Sequence, residues 1–346
     1  MGCCDETTAR VPDTDVSRRS LFKGAALIAS VVPAARPRRS EAQGKKVSLA
    51  FCSQLLCVVP YEIARAGGHF KNHGLDVELV YSRGGNAAMQ ALVGGAVDYA
   101  GTSLDVAILA YANGADIRRF ATTGRLPLFA LATAPQTADR IRGLKDLEGK
   151  TVGVGALGGA DHALTLFLLK QANVDAGKVQ FATVGGNLLE GLRQGQVDAG
   201  LIQEPALTLL VRSGARVLVN FMDMADAQRY LGGPYEFMGV AVRAKEVEAR
   251  RAEMTALAKG LAEGLKAQRT MSGQQMIAAL RPELVAGLDT QEFGDILVRY
   301  RSSLYPETVT IDLESSRRVA NSLMVGGLIK PDANVDGLYD TTIVGG

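Results

Sequence analysis

The chain carries one segment twice. "ALVGGAVDYAG" (91–101) recurs as "GLRQGQVDAGL" (191–201), with Val97-Asp98 matched by Val197-Asp198. Ahead of each stands the same triplet, Gly84-Gly85-Asn86 after "VELVYSR" and Gly185-Gly186-Asn187 after "VQFATV". Further upstream lie "KVSLAFCSQLLCVVPYEIARAGGHF" and "KTVGVGALGGADHALTLFLLKQAN". Each copy therefore reads as strand, loop, helix, strand, Gly-Gly-Asn, helix, Val-Asp-strand. The strands rest on short β-branched and apolar runs bounded by glycine, the helices on three-to-four spacing such as Leu164, Phe167 and Leu168. Strands alternating with helices build parallel sheets through right-handed crossovers. The duplication thus predicts an α/β chain of two lobes, each an open, mostly parallel sheet with flanking helices. The loops at the strand C-termini would face one another across a cleft.

Two further strands connect the copies. "FALATAP" (129–135) is the first crossing between lobes, and "YEFMGVAVR" (235–243) returns to the first lobe. The stretch 244–327 reads as mostly helical, punctuated by Pro282 and Pro306, with Asp312 as an N-cap. The expected organisation is 43–132 plus 236–346 for the first lobe and 133–235 for the second.

Gly153-x-Gly155-x-x-Gly158 has the glycine spacing of a dinucleotide-binding turn. That reading also needs an acidic residue at the end of the next strand, about 20 residues on, to hold the ribose hydroxyls. Here the strand ends in Val184-Gly185-Gly186-Asn187, with no acid, and the matching stretch of the first copy, 51–57, has no glycine. The glycines are instead expected to bring backbone amides to a helix N-terminus, where unpaired N–H groups favour an anionic or accepting group. No cofactor, catalytic residue or metal site is expected.

The first 42 residues read as an export signal. Ser17-Arg18-Arg19-Ser20-Leu21-Phe22-Lys23 resembles the twin-arginine motif; a mild apolar core (24–32) and a small-x-small site at Ser40-Glu41-Ala42 follow. Of 38 basic and 36 acidic residues, this leader holds seven and five, leaving 31 of each. A balanced surface without basic runs gives no footprint for nucleic acid. Cys3 and Cys4 precede the apolar core, whereas a lipid-anchored cysteine follows it. Cys52 and Cys57 remain, as a disulfide, a pair of thiols lining a pocket, or plain core. No apolar run reaches the roughly 18–20 residues of a spanning helix.

"ARAGGHFKNHGLDVELV" (64–80), "ALVGGAVDYAGTS" (91–103), "LKDLEGKTVGV" (144–154) and "GQVDAGLIQEP" (195–205) together resemble the periplasmic substrate-binding proteins of ABC importers for nitrate, aliphatic sulfonates and taurine, with the related thiamine-pyrimidine binding and synthesis proteins. The resemblance implies a flytrap fold, a periplasmic location, a monomer, and delivery of a small molecule to a membrane permease. It maps the ligand loops onto 52–57, 82–86, 101–103, 156–161, 185–187 and 203–204. The ligand-binding candidates are Cys52, Ser53, Gln54, Arg83, Gly84, Gly85, Asn86, Thr102, Ser103, Arg125, Leu157, Gly158, Asp161, Gly186, Asn187, Gln203 and Glu204. Arg83 and Arg125 are the groups that could clamp an anion, Glu204 the one that could take a cation or ring N–H. Asp98 and Asp198, at strand starts, read as structural, and Tyr61 and Met238 as core. A sulfonate, nitrate, carboxylate or pyrimidine is the expected solute class. The competing readings are a pyrimidine-synthesis-like enzyme, and the effector lobes of a transcription regulator, whose DNA-binding helices would have to stand where the leader stands.

Overall fold

The first copy of the repeat lays down β1 (Lys45–Cys52), α1 (Leu55–Ala66), the single turn α2 (His69–Asn72), β2 (Leu75–Ser82), α3 (Gly85–Val93), β3 (Tyr99–Ser103) and α4 (Leu104–Ala112), followed by β4 (Ile117–Thr122). After β5 (Ala130–Thr133), the second copy gives β6 (Thr151–Val154), α5 (Ala160–Gln171), β7 (Gln180–Thr183), a 3₁₀ turn (Gly185–Asn187) leading into α6 (Leu188–Arg193), and β8 (Ala199–Ile202). Then come α7 (Ala206–Arg212), β9 (Val217–Asn220), α8 (Met224–Leu231) and β10 (Met238–Arg243). The chain ends in α9 (Val247–Gln268), α10 (Gly273–Ala279), α11 (Pro282–Val285), α12 (Thr290–Leu304) and α13 (Leu313–Val325). This computed structural model describes residues 44–52 and 55–344, so the leader, Ser53 and Gln54 lie outside the described residues.

Two five-stranded sheets result, ordered β2-β1-β3-β10-β4 and β7-β6-β8-β5-β9. Within each copy the pairing is parallel, β1 with β2 and β3, and β6 with β7 and β8. The strand that follows each crossing is antiparallel: β10 sits between β3 and β4, and β5 between β8 and β9. The reason is directional. The repeat strands end at the cleft, so a chain that has just crossed starts there and must run the other way. Because β5 belongs to the second sheet, the first crossing comes before Ala130, ahead of the boundary drawn at residue 132 from sequence.

The two crossing segments are bonded to each other. Tyr235 N–H donates to the Arg125 carbonyl at 3.0 Å, and Phe237 N–H to the Gly124 carbonyl at 2.8 Å. Beneath them Arg119, fully buried, donates Nε–H to Glu236 at 3.0 Å, Nη1–H to the Thr102 carbonyl at 3.1 Å and Nη2–H to the Phe237 carbonyl at 3.0 Å. Glu236 also accepts from Asp312 N–H and Ser316 Oγ, each at 3.1 Å. One ion pair thereby joins β4, the end of β3, the returning crossing and the start of α13.

The repeated Val-Asp has one physical role in both copies. Asp98 Oδ2 accepts from the N–H of Ser48 at 2.8 Å, and Asp198 Oδ2 from the N–H of Thr151 at 2.9 Å. Each carboxylate, just ahead of the central strand of its sheet, ties that strand to the first strand of its copy, β1 or β6. Asp98 is held more firmly, by Ser48 Oγ at 2.8 Å and by Arg250 at 2.6 Å. Burial pushes its carboxyl up, but the Ser48 and Arg250 hydrogen bonds prevail and hold it below its ordinary value. Both aspartates act far from the strand ends that face the cleft.

The C-terminal helices cover the first sheet and tie the lobes. α9 packs on α1 and α2, α10 on α12, and α13 lies against both α4 and α5. Asp312 caps α13, accepting from the N–H groups of Glu314 and Ser315. From the second lobe, Arg212 pairs with Glu292 of α12, and Asn220 Nδ2 donates to Tyr300 Oη at 3.1 Å. None of the described helices is long and apolar enough to cross a membrane.

Candidate functional site

The strand ends of both sheets open onto one cavity of about 660 Å³. From the first sheet it is lined by Cys52, at the end of β1; Arg83 and Gly84, after β2, and Gly85 and Asn86, which open α3; Ser103, which caps α4; and Val106. The second sheet supplies Gly155, Ala156 and Gly159, between β6 and α5, Ala160 and Asp161, which open α5, and Gly185 and Gly186 after β7. The two Gly-Gly turns of the repeat thus meet across a single space. A larger cavity, about 900 Å³, lies elsewhere, between α9 and the segments 307–310 and 342–344. It contains none of the repeat loops and none of the helix starts, so the cleft is the better site despite its smaller volume.

The waist of the cleft comes from the crossings. Phe129 and Phe237 stand edge to face, ring centres 5.8 Å apart and planes at 90°, and both line the cavity with Met238. Such a pair offers a rigid apolar surface. Among the candidates, Cys52, Arg83, Gly84, Gly85, Asn86, Ser103, Asp161 and Gly186 line this space. Cys57, in the first turn of α1, lines it too; both cysteines are buried and carry reduced thiols rather than a disulfide. The Cys57 thiol is pushed up, first by burial and then by the neighbouring Cys52 thiol.

The other candidates stand elsewhere. Thr102 is fully buried behind Gly85, where a Cβ added to the glycine would lie 3.9 Å from the threonine Cβ. Arg125 lines a separate cavity of about 210 Å³, with Glu236 and Asp312, because its backbone is held by Leu304 and Tyr235 on the crossing pair. Glu204 turns into its own helix start, its Oε2 accepting from Thr208 N–H at 3.0 Å, and burial raises its carboxyl above the ordinary value. Gln203, beside it beyond β8, and Asn187, which leads into α6, are not in the lining. Leu157 is 60% exposed on the rim of the second lobe. Ser53 and Gln54 fall outside the described residues.

The glycine trio has three separate explanations, none of them a dinucleotide. A Cβ on Gly153 would lie 2.6 Å from Leu188 Cδ1, so this glycine is a packing residue. Gly155 donates its N–H to Asp161 Oδ2. Gly158 has φ +74°, a conformation that favours glycine, and donates its N–H to His162 Nδ1 at 3.1 Å. The amides at the start of α5 therefore already hold a carboxylate, the chain's own Asp161. Burial raises Asp161, opposed by the N–H groups of Gly155, His162 and Asp161 itself.

A second carboxyl stands in the first turn of α4. Asp105 is fully buried, accepts from Tyr235 Oη at 2.6 Å, and is raised by burial to about 6, with the Asp161 charge adding to the rise. Thr102 Oγ1 and Asp105 Oδ2 are buried polar atoms without a hydrogen-bond partner, and they flank the cavity-lining Ser103. The apolar lining, Val106, Phe129, Phe237 and Met238, is what sequence reading missed. Connectivity held the signal for two of these: Phe129 and Phe237 begin the two crossing segments, which a two-lobed chain must place at the base of its cleft.

A sequence model of the NMT1/THI5-like family matches residues 58–268, more than half of the chain. The chain belongs to that family. No curated protein matches it in sequence. Among solved structures, a Bordetella bronchiseptica RB50 protein is 23% identical, over 87% of this chain and 96% of the other, with a TM-score of 0.77. The alkanesulfonate-binding protein SsuA from Xanthomonas axonopodis pv. citri, bound to MOPS, is 17% identical over 86% and 99%, TM-score 0.68. The periplasmic nitrate-binding protein NrtA from Synechocystis PCC 6803 is 13% identical over 87% of each chain, TM-score 0.69. This NMT1/THI5-like chain shares their fold: it has the two-lobed periplasmic-binding-protein architecture.

Proposed function

We propose that the chain is the solute-capturing component of an ABC importer, holding a small molecule between its lobes and presenting it to a membrane permease. The observation that carries this reading is the convergence of Gly84–Asn86 and Gly185-Gly186, the two copies of one turn on two sheets, on a single 660 Å³ cavity. A solute touching both lobes favours their closed arrangement by its differential affinity for that state, so closure reports occupancy. The family membership, and the named functions of SsuA and NrtA, support a binding role over a catalytic one. In this reading Cys52, Arg83, Gly84, Gly85, Asn86, Ser103, Asp161 and Gly186 contact the solute, the protein acts as a monomer without a cofactor, and the leader directs it to the periplasm by the twin-arginine route.

The solute class is a sulfonate, nitrate, carboxylate or pyrimidine. The test is thermal unfolding of the mature chain against such a panel, with mass spectrometry of any solute that co-purifies. A binder at one hundred times its Kd should add about 2.7 kcal/mol of stability and leave the solute chemically unchanged. Turnover of a stabilising compound would overturn the binding-protein reading.

A further inference from the structure

The two lobes bring opposite kinds of polar side chain to the cleft. Among the described residues that line it, one brings a guanidinium and one a carboxyl group, one from each lobe: Arg83 and Asp161. Arg83 is exposed and has neither an ion pair nor a hydrogen bond among the described residues, so its guanidinium fork is uncommitted. Asp161 is more than nine-tenths buried. Its carboxylate has about four acceptor positions, of which the backbone of its own turn fills only part. The same cavity is lined by the apolar waist of Phe129, Phe237 and Met238, from the crossings, with Val106.

Building on the solute-binding reading, we propose that the solute is an aromatic acid carrying a hydroxyl or amino group: its acid is taken by Arg83 and its O–H or N–H by Asp161. Each part of that description answers a feature of the cleft. A bare anion such as nitrate offers Asp161 no donor and leaves the phenylalanine pair facing water. A short alkanesulfonate satisfies Arg83 but brings no donor to Asp161. A ring spans the waist, presenting a flat apolar face to Phe129 and Phe237. The cavity volume falls within the range of pockets that enclose molecules larger than a simple anion. A donor on the far edge of the ring supplies the charge-assisted hydrogen bond that a buried carboxylate strengthens.

Isothermal titration of the mature chain with 4-hydroxybenzoate, 4-aminobenzoate, benzoate, phenol, nitrate and ethanesulfonate tests the proposal. The two substituted acids should bind at least tenfold more tightly than benzoate or phenol, each of which lacks one end. Asp161→Asn keeps an acceptor for the Gly155 N–H; it should shrink the advantage of 4-hydroxybenzoate over benzoate from tenfold or more to about twofold or less. Arg83→Gln should weaken both acids tenfold or more relative to phenol. If Asp161→Asn does not fold, the wild-type ranking decides alone. Nitrate or ethanesulfonate as the tightest binder, with 4-hydroxybenzoate no better than benzoate, would overturn the proposal and leave solute binding intact. Failure of the whole panel also overturns it, and a different solute found on the native protein would then show that the broader reading survives.

Discussion

Replacing Arg119 by methionine probes the joint between the lobes. The side chain is fully buried and makes three hydrogen bonds, one to the Glu236 carboxylate and two to the carbonyls of Thr102 and Phe237. Methionine fills most of the volume but leaves Glu236 buried without its counter-charge, at a cost of about 3–5 kcal/mol. For a chain of this size each kcal/mol moves the melting temperature by roughly 1.6 °C, so Arg119→Met should melt about 5–8 °C lower. The deficit has a pH signature. Burial already raises Glu236 and Arg119 opposes that rise, so losing the arginine raises it further. A carboxyl raised in the folded state gives stability that is present at low pH and lost as pH rises through the folded value. The mutant should therefore fall further below wild type at pH 8 than at pH 5. Pairing it with Glu236→Gln removes the orphaned charge and should restore much of the loss. Circular-dichroism melts of the four proteins at both pH values complete the cycle. A single mutant within about 2 °C of wild type, or a double mutant no better than the single, refutes the reasoning.

Three more expectations follow from the same geometry. Asp105, raised by burial from an ordinary 3.8 to about 6, stabilises the fold below the lower value and loses that contribution as pH rises through the upper one; the melting temperature of Asp105→Asn, measured against wild type, should therefore climb between pH 4 and pH 7. Gly158→Ala forces a Cβ into φ +74° and should cost about 1 kcal/mol in urea unfolding, with no change in bound-solute chemistry. Asp98→Ala, which strands the Ser48 N–H and takes one of three carboxylate partners from Arg250, should cost about 3 kcal/mol against about 1.5 for Asp198→Ala, which strands one N–H of Thr151. The two aspartates sit in different sheets, so the costs should add, and a double mutant departing from the sum by more than about 0.5 kcal/mol would contradict the independence of the lobes at these sites.

What the chain alone determined was its duplicated plan. Recurrence of Gly-Gly-Asn and Val-Asp at matched places forces two like sheets, and strands that end in glycine-rich turns force those turns to one side of each sheet. Asp98, Asp198 and the Asp312 cap were legible because their roles are local or repeated. Tertiary structure decided which side chains face the cleft. Arg125 and Glu204 stand at strand ends as the pattern requires, yet backbone bonds with Leu304 and Tyr235, far away in sequence, hold the first out of the cleft lining, and the N–H of Thr208, one turn on, draws the second into its own helix start. The same holds for Asp161, whose carboxylate occupies the helix terminus that glycine spacing offered to a ligand. Phe129 and Phe237 meet only because two crossings separated by a whole lobe are hydrogen-bonded side by side. A repeat specifies direction and order, which are properties of the backbone; the facing of a side chain depends on neighbours that folding alone brings together.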